Sequence, residues 1–405
     1  MRLSQQPHRW VLFWMCVVIG VNQLGFGAVI PTLPLYAKSF GVSYSAIGAA
    51  IAIYGLARFL VAMPTGRLAD WLGRRPTLAF GGIVSAAGNL WCGLADTYAE
   101  FLVARFVAGA GATLVLTTGI IVLADISSKE VRGRMMAIYQ GVFLFSVGIG
   151  PLPGGMIASS FGLDAPFFAY ALAGLIVGLV AWFAVTESKH LQRGDSDASA
   201  APLPSFGDQL KLMVSQIGFL LVCVLGFTHA FVRTGGLFNI IPVLGAEMLH
   251  LSATQIGFAM AAGSVVGLAA AYPAGVLVDR FGRKSVIVPA SVLTGASFLL
   301  FCFAPSFGWF MLATVAWGVA SASGGAAPSA YAADSAPAGM NAAALSTYRM
   351  LADAGYVIGP LVLGMLVDGV GVTPTLIVAA FLMMGVALLF AKFAPETYAA
   401  RRPQS

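Results

Sequence analysis

Apolar stretches alternate with short polar ones along the whole of this chain. A helix needs about 20 mostly apolar residues to cross a bilayer, and twelve stretches have that length. In the first half they are Trp10–Tyr36, Tyr44–Thr65, Pro76–Ala95, Tyr98–Ala124, Met135–Ser160 and Pro166–Thr186. In the second half they are Leu212–Ala246, Thr254–Val278, Ser285–Ala304, Trp309–Ala333, Ala342–Val367 and Thr373–Ala394. Between the halves, from Glu187 to Gln209, the composition turns to Ser, Asp, Ala, Pro and Lys, that of a flexible polar linker. The pattern predicts an all-α integral membrane protein of twelve transmembrane helices: one six-helix bundle in residues 1–186, a linker over 187–211 and a second bundle in 212–405.

Two charged islands interrupt this pattern at matching places. One runs from Gly66 to Pro76 and contains Asp70, Gly73, Arg74 and Arg75; the other runs from Gly275 to Lys284 and contains Asp279, Gly282 and Arg283. Each reads as a tight basic turn between two spans, with Gly73 and Gly282 supplying the backbone freedom of the reversal. Asp70 and Asp279 are 209 residues apart, and the same offset relates Pro64 to Pro273, Asp125 to Asp334, Tyr139 to Tyr348 and Gly155 to Gly364. It also relates Gly150-Pro151 to Gly359-Pro360. The halves are therefore parallel repeats, an arrangement that packs about an axis along the membrane normal with the substrate path between.

The basic residues orient the chain. Arg2, Arg9, Arg401, Arg402, both islands, the Lys129-to-Arg134 loop and the linker fall on one side, whereas Lys38 alone falls on the other. By the positive-inside rule this places both termini in the cytoplasm, in a multi-pass protein of the plasma membrane (the inner membrane in a bacterium). Composition agrees: 59% of the 405 residues are hydrophobic, 9% are charged and mean hydropathy is +0.88, against roughly 25% charged in soluble domains. The net charge of +6 is spread between apolar runs, which argues against nucleic acid as a partner. Cys16, Cys92, Cys223 and Cys302 lie inside those runs without metal-ligand spacing and read as packing residues. The first apolar run is long enough to span and lacks a cleavage site, so no cleavable signal peptide is expected. Gly109-Ala110-Gly111 has no following Lys and is not a phosphate loop. No catalytic constellation, metal site or cofactor is expected, so the energy source for any transport is an ion gradient.

Ionisable groups at membrane depth mark a pathway by default. Arg58, Arg105, Arg233 and Arg349 are placed there against one acid, Asp353. Arg349 and Asp353 are four apart and share a helix face, as do His229 and Arg233. Asn22, Gln23, Tyr54, Tyr139, Gln140 and Asn239 add uncharged hydrogen-bonding groups to this candidate cavity. The alternatives are a structural bond from Arg105 to loop carbonyls, packing for His229 and helix–helix contact for a lone Asn or Tyr.

The islands resemble the signature loop between helices 2 and 3 of the major facilitator superfamily and its weaker copy between helices 8 and 9. Leu24-Gly25 with Pro31 and Pro34, Arg105 with Gly109 and Gly111, and Gly148 to Pro151 with Gly154-Gly155 resemble motifs of its twelve-helix drug:proton antiporters. That resemblance implies alternating access, protons as the coupling ion, a small-molecule substrate and a monomer. It also implies a conformational latch. Asp70 and Asp279 would lie against a helix N-terminus, with Arg74 and Arg283 pairing with Asp125 and Asp334; Gly66, Gly73 and Gly282 shape the turns. Arg75 and Lys284 read as topology determinants. The Gly150-Pro151 and Gly359-Pro360 pairs let helices approach and bend, and the first of them favours export. The chain departs from cation exporters in having Asn22 and Gln23 where those carry an acid in helix 1. A cavity of that charge suits neutral or anionic compounds. An importing symporter of sugars or organic acids is the alternative reading of the same fold.

Overall fold

The computed structural model describes residues 6–127, 131–188, 215–322, 326–336 and 341–397. The terminal arginines 2, 401 and 402, Lys129 and nearly all of the expected linker lie outside them. Every described element is helical. The first half comprises α1 (Gln6–Val29), α2 (Leu33–Ser39), α3 (Tyr44–Leu72), α4 (Arg74–Leu94), α5 (Tyr98–Ile126), α6 (Arg132–Ile149), α7 (Pro151–Phe161) and α8 (Ala165–Ala184). The second comprises α9 (Ile217–Val232), a π-helical segment (Arg233–Ile240), α10 (Ile241–Met248), α11 (Ala253–Phe281), α12 (Lys284–Cys302), α13 (Phe307–Ser321), α14 (Ala326–Asp334), α15 (Asn341–Val370) and α16 (Val372–Phe393).

Among the described residues, eleven helices are long and apolar enough to cross a membrane. The tenth expected span, Trp309–Ala333, is covered by α13 and α14, whose junction includes residues outside the description. Large apolar side chains point outward along these helices, among them Phe161, Phe183 and Phe381. Such extensive apolar exposure is untenable in water and natural in lipid.

Local chemistry sets the helix ends. The Thr97 side chain and Glu100 form a reciprocal capping box at the start of α5, and Ser43 caps α3 through the Ala46 amide. The islands are shorter as turns than the sequence pattern implies. α3 runs on through Leu72, and only Gly73, at φ +102°, separates it from α4. Its copy Gly282 has φ +93°. Helix formers such as Leu68, Ala69 and Leu72 carry α3 past its apolar stretch, and the glycine absorbs the whole reversal.

The chain forms two compact units, Met1–Ser196 with His250–Ala261, and Asp197–Leu249 with Ala262–Ser405. The sequence division at the linker placed residues 250–261 in the second half. They group with the first unit, where Thr254 bonds Ser159, its hydroxyl at 2.9 Å and its amide at 3.1 Å. In the first unit α4 packs on α5 and α8, and α1 on α6, α7 and α8. Small residues bring the backbones together: a Cβ on Gly150 would lie 2.7 Å from the Gly27 Cα. In the second unit α9 and the π segment pack on α15, and α12 on α16 and α13. The π segment replaces the regular helix expected across the seventh span. Gly235 and Gly236 and the proline at 242 weaken its α-helical ladder. Thr234 bonds the Tyr356 carbonyl at 3.2 Å and Asn239 the Pro360 carbonyl at 3.2 Å, holding the segment against α15.

Candidate functional site

The charged turn of the first unit is built on Arg74, whose side chain is 1% exposed. Its Nη1 lies 2.9 Å from Asp70 Oδ1 and donates to the Ala69 carbonyl at 3.0 Å, while Nε donates to Asp125 Oδ2 at 2.9 Å. Asp125 is 8% exposed and Asp70 64%. One guanidinium thus joins the last turn of α3, the start of α4 and the end of α5. The fixed fork of donors makes Arg suited to this and Lys unsuited. In the copy, Arg283 Nε lies 3.2 Å from Asp334 Oδ2, with side chains 18% and 38% exposed. The side chain of Asp279 lies outside the described residues. Arg75 stacks over the Trp182 ring at 4.9 Å and Lys284 donates to the Ala394 carbonyl at 2.8 Å, so each makes a defined contact. A Cβ on Gly66 would meet nothing within 4 Å.

Two acids that the sequence pattern left in the linker and the tail complete these turns. Glu187 accepts from the Arg74 and Arg75 amides, at 2.9 and 3.1 Å. Glu396 accepts from the Arg283 and Lys284 amides, at 3.1 and 3.0 Å. The signal was present, because these acids too are 209 residues apart.

The polar residues that the sequence pattern places at membrane depth divide into buried and open sets. In the first unit Asn22, Gln23, Tyr54, Arg105 and Tyr139 are buried. Asn22 Nδ2 donates to Gln23 Oε1 at 2.9 Å, so these neighbours satisfy each other in part. Arg105 stacks on the Tyr54 ring at 4.4 Å and its Nε donates to the Ala50 carbonyl at 3.2 Å; Nη1 has no partner among the described residues. Tyr54 in turn stacks on Phe26, at 5.5 Å, and its hydroxyl lies 3.3 Å from that of Tyr170. Tyr139 reaches into the apolar cluster around Met15 and Val122. Arg58 is half-buried and Gln140 exposed.

In the second unit Asn239 is buried in the π segment. His229 Nε2 lies 2.9 Å from Ser291 Oγ, linking α9 to α12. Arg233, Arg349 and Asp353 are exposed. A direct Arg349–Asp353 bond, which the four-residue spacing permits, is not among the contacts of the described residues. Helical spacing permits such a pair, but exposed side chains gain little from forming it. Gly150-Pro151 separates α6 from α7 with the ladder continuous across it, as the Gly154 amide bonds the Gly150 carbonyl at 3.1 Å. Gly359-Pro360 lies within α15. A group of three or more potential metal ligands does not occur among the described residues.

The sequence model of the Major Facilitator Superfamily matches residues 15–243 and 222–405. The chain belongs to this superfamily. It is a multi-pass membrane transporter, with the fold and family of transporters and not of enzymes. Multidrug resistance protein 2 of Bacillus subtilis is 24% identical over 300 residues, 73% of either chain. The class C tetracycline resistance protein of Escherichia coli is 28% identical over 318 residues, 73% of this chain and 74% of that one. Among solved structures, an inward-facing, unoccupied bacterial homologue of the human lysosomal transporter Spinster superposes with a TM-score of 0.79 at 15% identity, covering 96% of this chain and 97% of the other. That likeness shows the shared fold.

Proposed function

We propose that this transporter is a proton-coupled exporter of neutral or anionic amphipathic compounds, with both termini in the cytoplasm and the monomer as working unit. Export is supported by the relatives named for multidrug and tetracycline resistance and by the Gly-Pro motif of the fifth span. The observation that carries the substrate class is the charge at membrane depth. The sequence pattern puts Arg58, Arg105, Arg233 and Arg349 there with Asp353 as the one acid, and the resemblance puts Asn22 and Gln23 in the place of a helix-1 acid. Guanidinium groups present a planar fork of donors to a carboxylate or a polarised acceptor. A cationic substrate about 6 Å from one of them meets a repulsion of about 3 kcal/mol at an effective dielectric near 20. Asp70, Arg74 and Asp125, with Arg283 and Asp334, act as the latch that holds one conformation and parts in the other. The test is transport in proteoliposomes with an imposed proton gradient, run against ethidium, chloramphenicol and carboxyfluorescein as cationic, neutral and anionic probes. Movement of the neutral or anionic probe against the proton flow is the expected result. Movement along the proton flow would identify a symporter, and selective movement of ethidium would overturn the charge argument while leaving export standing.

A further inference from the structure

Beyond its last helix each unit carries an acid that neither charged island contains. α8 ends at Ala184 and α16 at Phe393, and three residues past those ends stand Glu187 and Glu396. Each carboxylate spreads its two oxygens over two consecutive amides at the start of α4 or α12. Those amides have no intrahelical carbonyl to bond, and the helix end favours a negative charge. The same carboxylates bear on the turn glycines. A Cβ on Gly73 would lie 2.6 Å from Glu187 Oε2, and one on Gly282 would lie 2.9 Å from the Glu396 carboxylate. Glycine is thus required there for its positive φ, and any larger residue would also have to displace the carboxylate. The next residue also takes part: Ser188 Oγ donates at 3.1 Å to Asp125 Oδ2, the oxygen that accepts from Arg74.

We infer that Glu187 and Glu396 are positioning residues of the charged turns. Each clamps the chain leaving the final helix of its unit onto the turn. Glu187 and Ser188, the third and fourth residues past α8, therefore hold Arg74 and Asp125 in register. The inference rests on the latch reading, because positioning matters to transport only if the turn changes partners. Two carboxylates in equivalent places, each meeting two amides in its own unit, are hard to reconcile with incidental surface contacts.

The test uses the full-length protein and needs no substrate. Hydrogen–deuterium exchange reads the Arg74 and Arg75 amides. Spin labels on unnatural side chains at Met63 and Tyr272, which are 80% and 81% exposed, read the opening of the ends of α3 and α11. Glu187→Gln is expected to speed exchange of the two amides by about ten-fold, the loss of one charge-assisted bond, while the Arg283 and Lys284 amides stay protected. It should also shift the label distances in the same sense as Asp70→Asn, and the double variant should shift them no further. Unchanged exchange, or faster exchange with distances unmoved while Asp70→Asn moves them, overturns the clamp and leaves the latch. Unmoved distances in Asp70→Asn with a shift in Glu187→Gln sink the latch and leave the clamp. Should Glu187→Gln fail to fold, Glu396→Gln provides the same test at the Arg283 and Lys284 amides.

Discussion

Arg74→Ala should be far more damaging than the same change at Arg283, although the two occupy equivalent places in the repeat. Arg74 is 1% exposed and its partner Asp125 8%, whereas Arg283 and Asp334 are 18% and 38% exposed. Removing Arg74 leaves Asp125 buried with the Ser188 hydroxyl as its remaining side-chain donor. Breaking a buried pair from one side costs roughly 3–5 kcal/mol, because the stranded charge keeps its desolvation penalty. The Asp70 contact adds about 1 kcal/mol or less, since that carboxylate is mostly solvated. In the copy, water reaches both partners and the loss is about 1 kcal/mol or less. The two variants should therefore differ by about 2–6 kcal/mol. Thermal unfolding of the purified protein, followed by size-exclusion fluorescence, measures the ranking. Arg74→Gln with Asp125→Asn, which removes both charges and keeps hydrogen-bonding groups, should recover much of the loss. Equal destabilisation by Arg74→Ala and Arg283→Ala, or no recovery in the double variant, would refute the reasoning from burial.

Asp70→Asn should reach the membrane at the parental level, because the side chain is 64% exposed, yet transport slowly in the proteoliposome assay; parental turnover would remove it from the latch. Gly150→Ala should lower thermal stability by about 1–3 kcal/mol through overpacking, since the new Cβ would sit 2.7 Å from the Gly27 Cα. Gly66→Ala meets no neighbour within 4 Å and should be tolerated, so a reversed order in melting temperature would contradict this packing. Arg349→Ala and Asp353→Ala should be additive in their effect on folded yield, as expected for side chains that do not bond each other; a double variant that recovers would show that these two interact.

The spans and the repeat were legible in the chain because each rests on a one-dimensional property. Crossing hydrocarbon demands apolar length, and a duplicated half keeps its offset wherever Asp, Gly and Pro have a fixed task. Pairings at the charged turn were legible only through family resemblance, since Arg74 and Asp125 lie 51 residues apart. Short-range rules failed in both directions at membrane depth. Asn22 and Gln23 bond each other although adjacent helical residues do not normally face each other, and Arg349 and Asp353 have the favoured spacing without a bond. Burial decided those outcomes, and burial is set by the helices packed around each site. Glu187 and Glu396 show the same division of labour. Their offset was readable in the sequence, but a lone Glu in a polar stretch carries no sign of its partner. Only the fold brings it to two unpaired amides, more than 110 residues away in the chain, where a carboxylate is the group the helix end lacks.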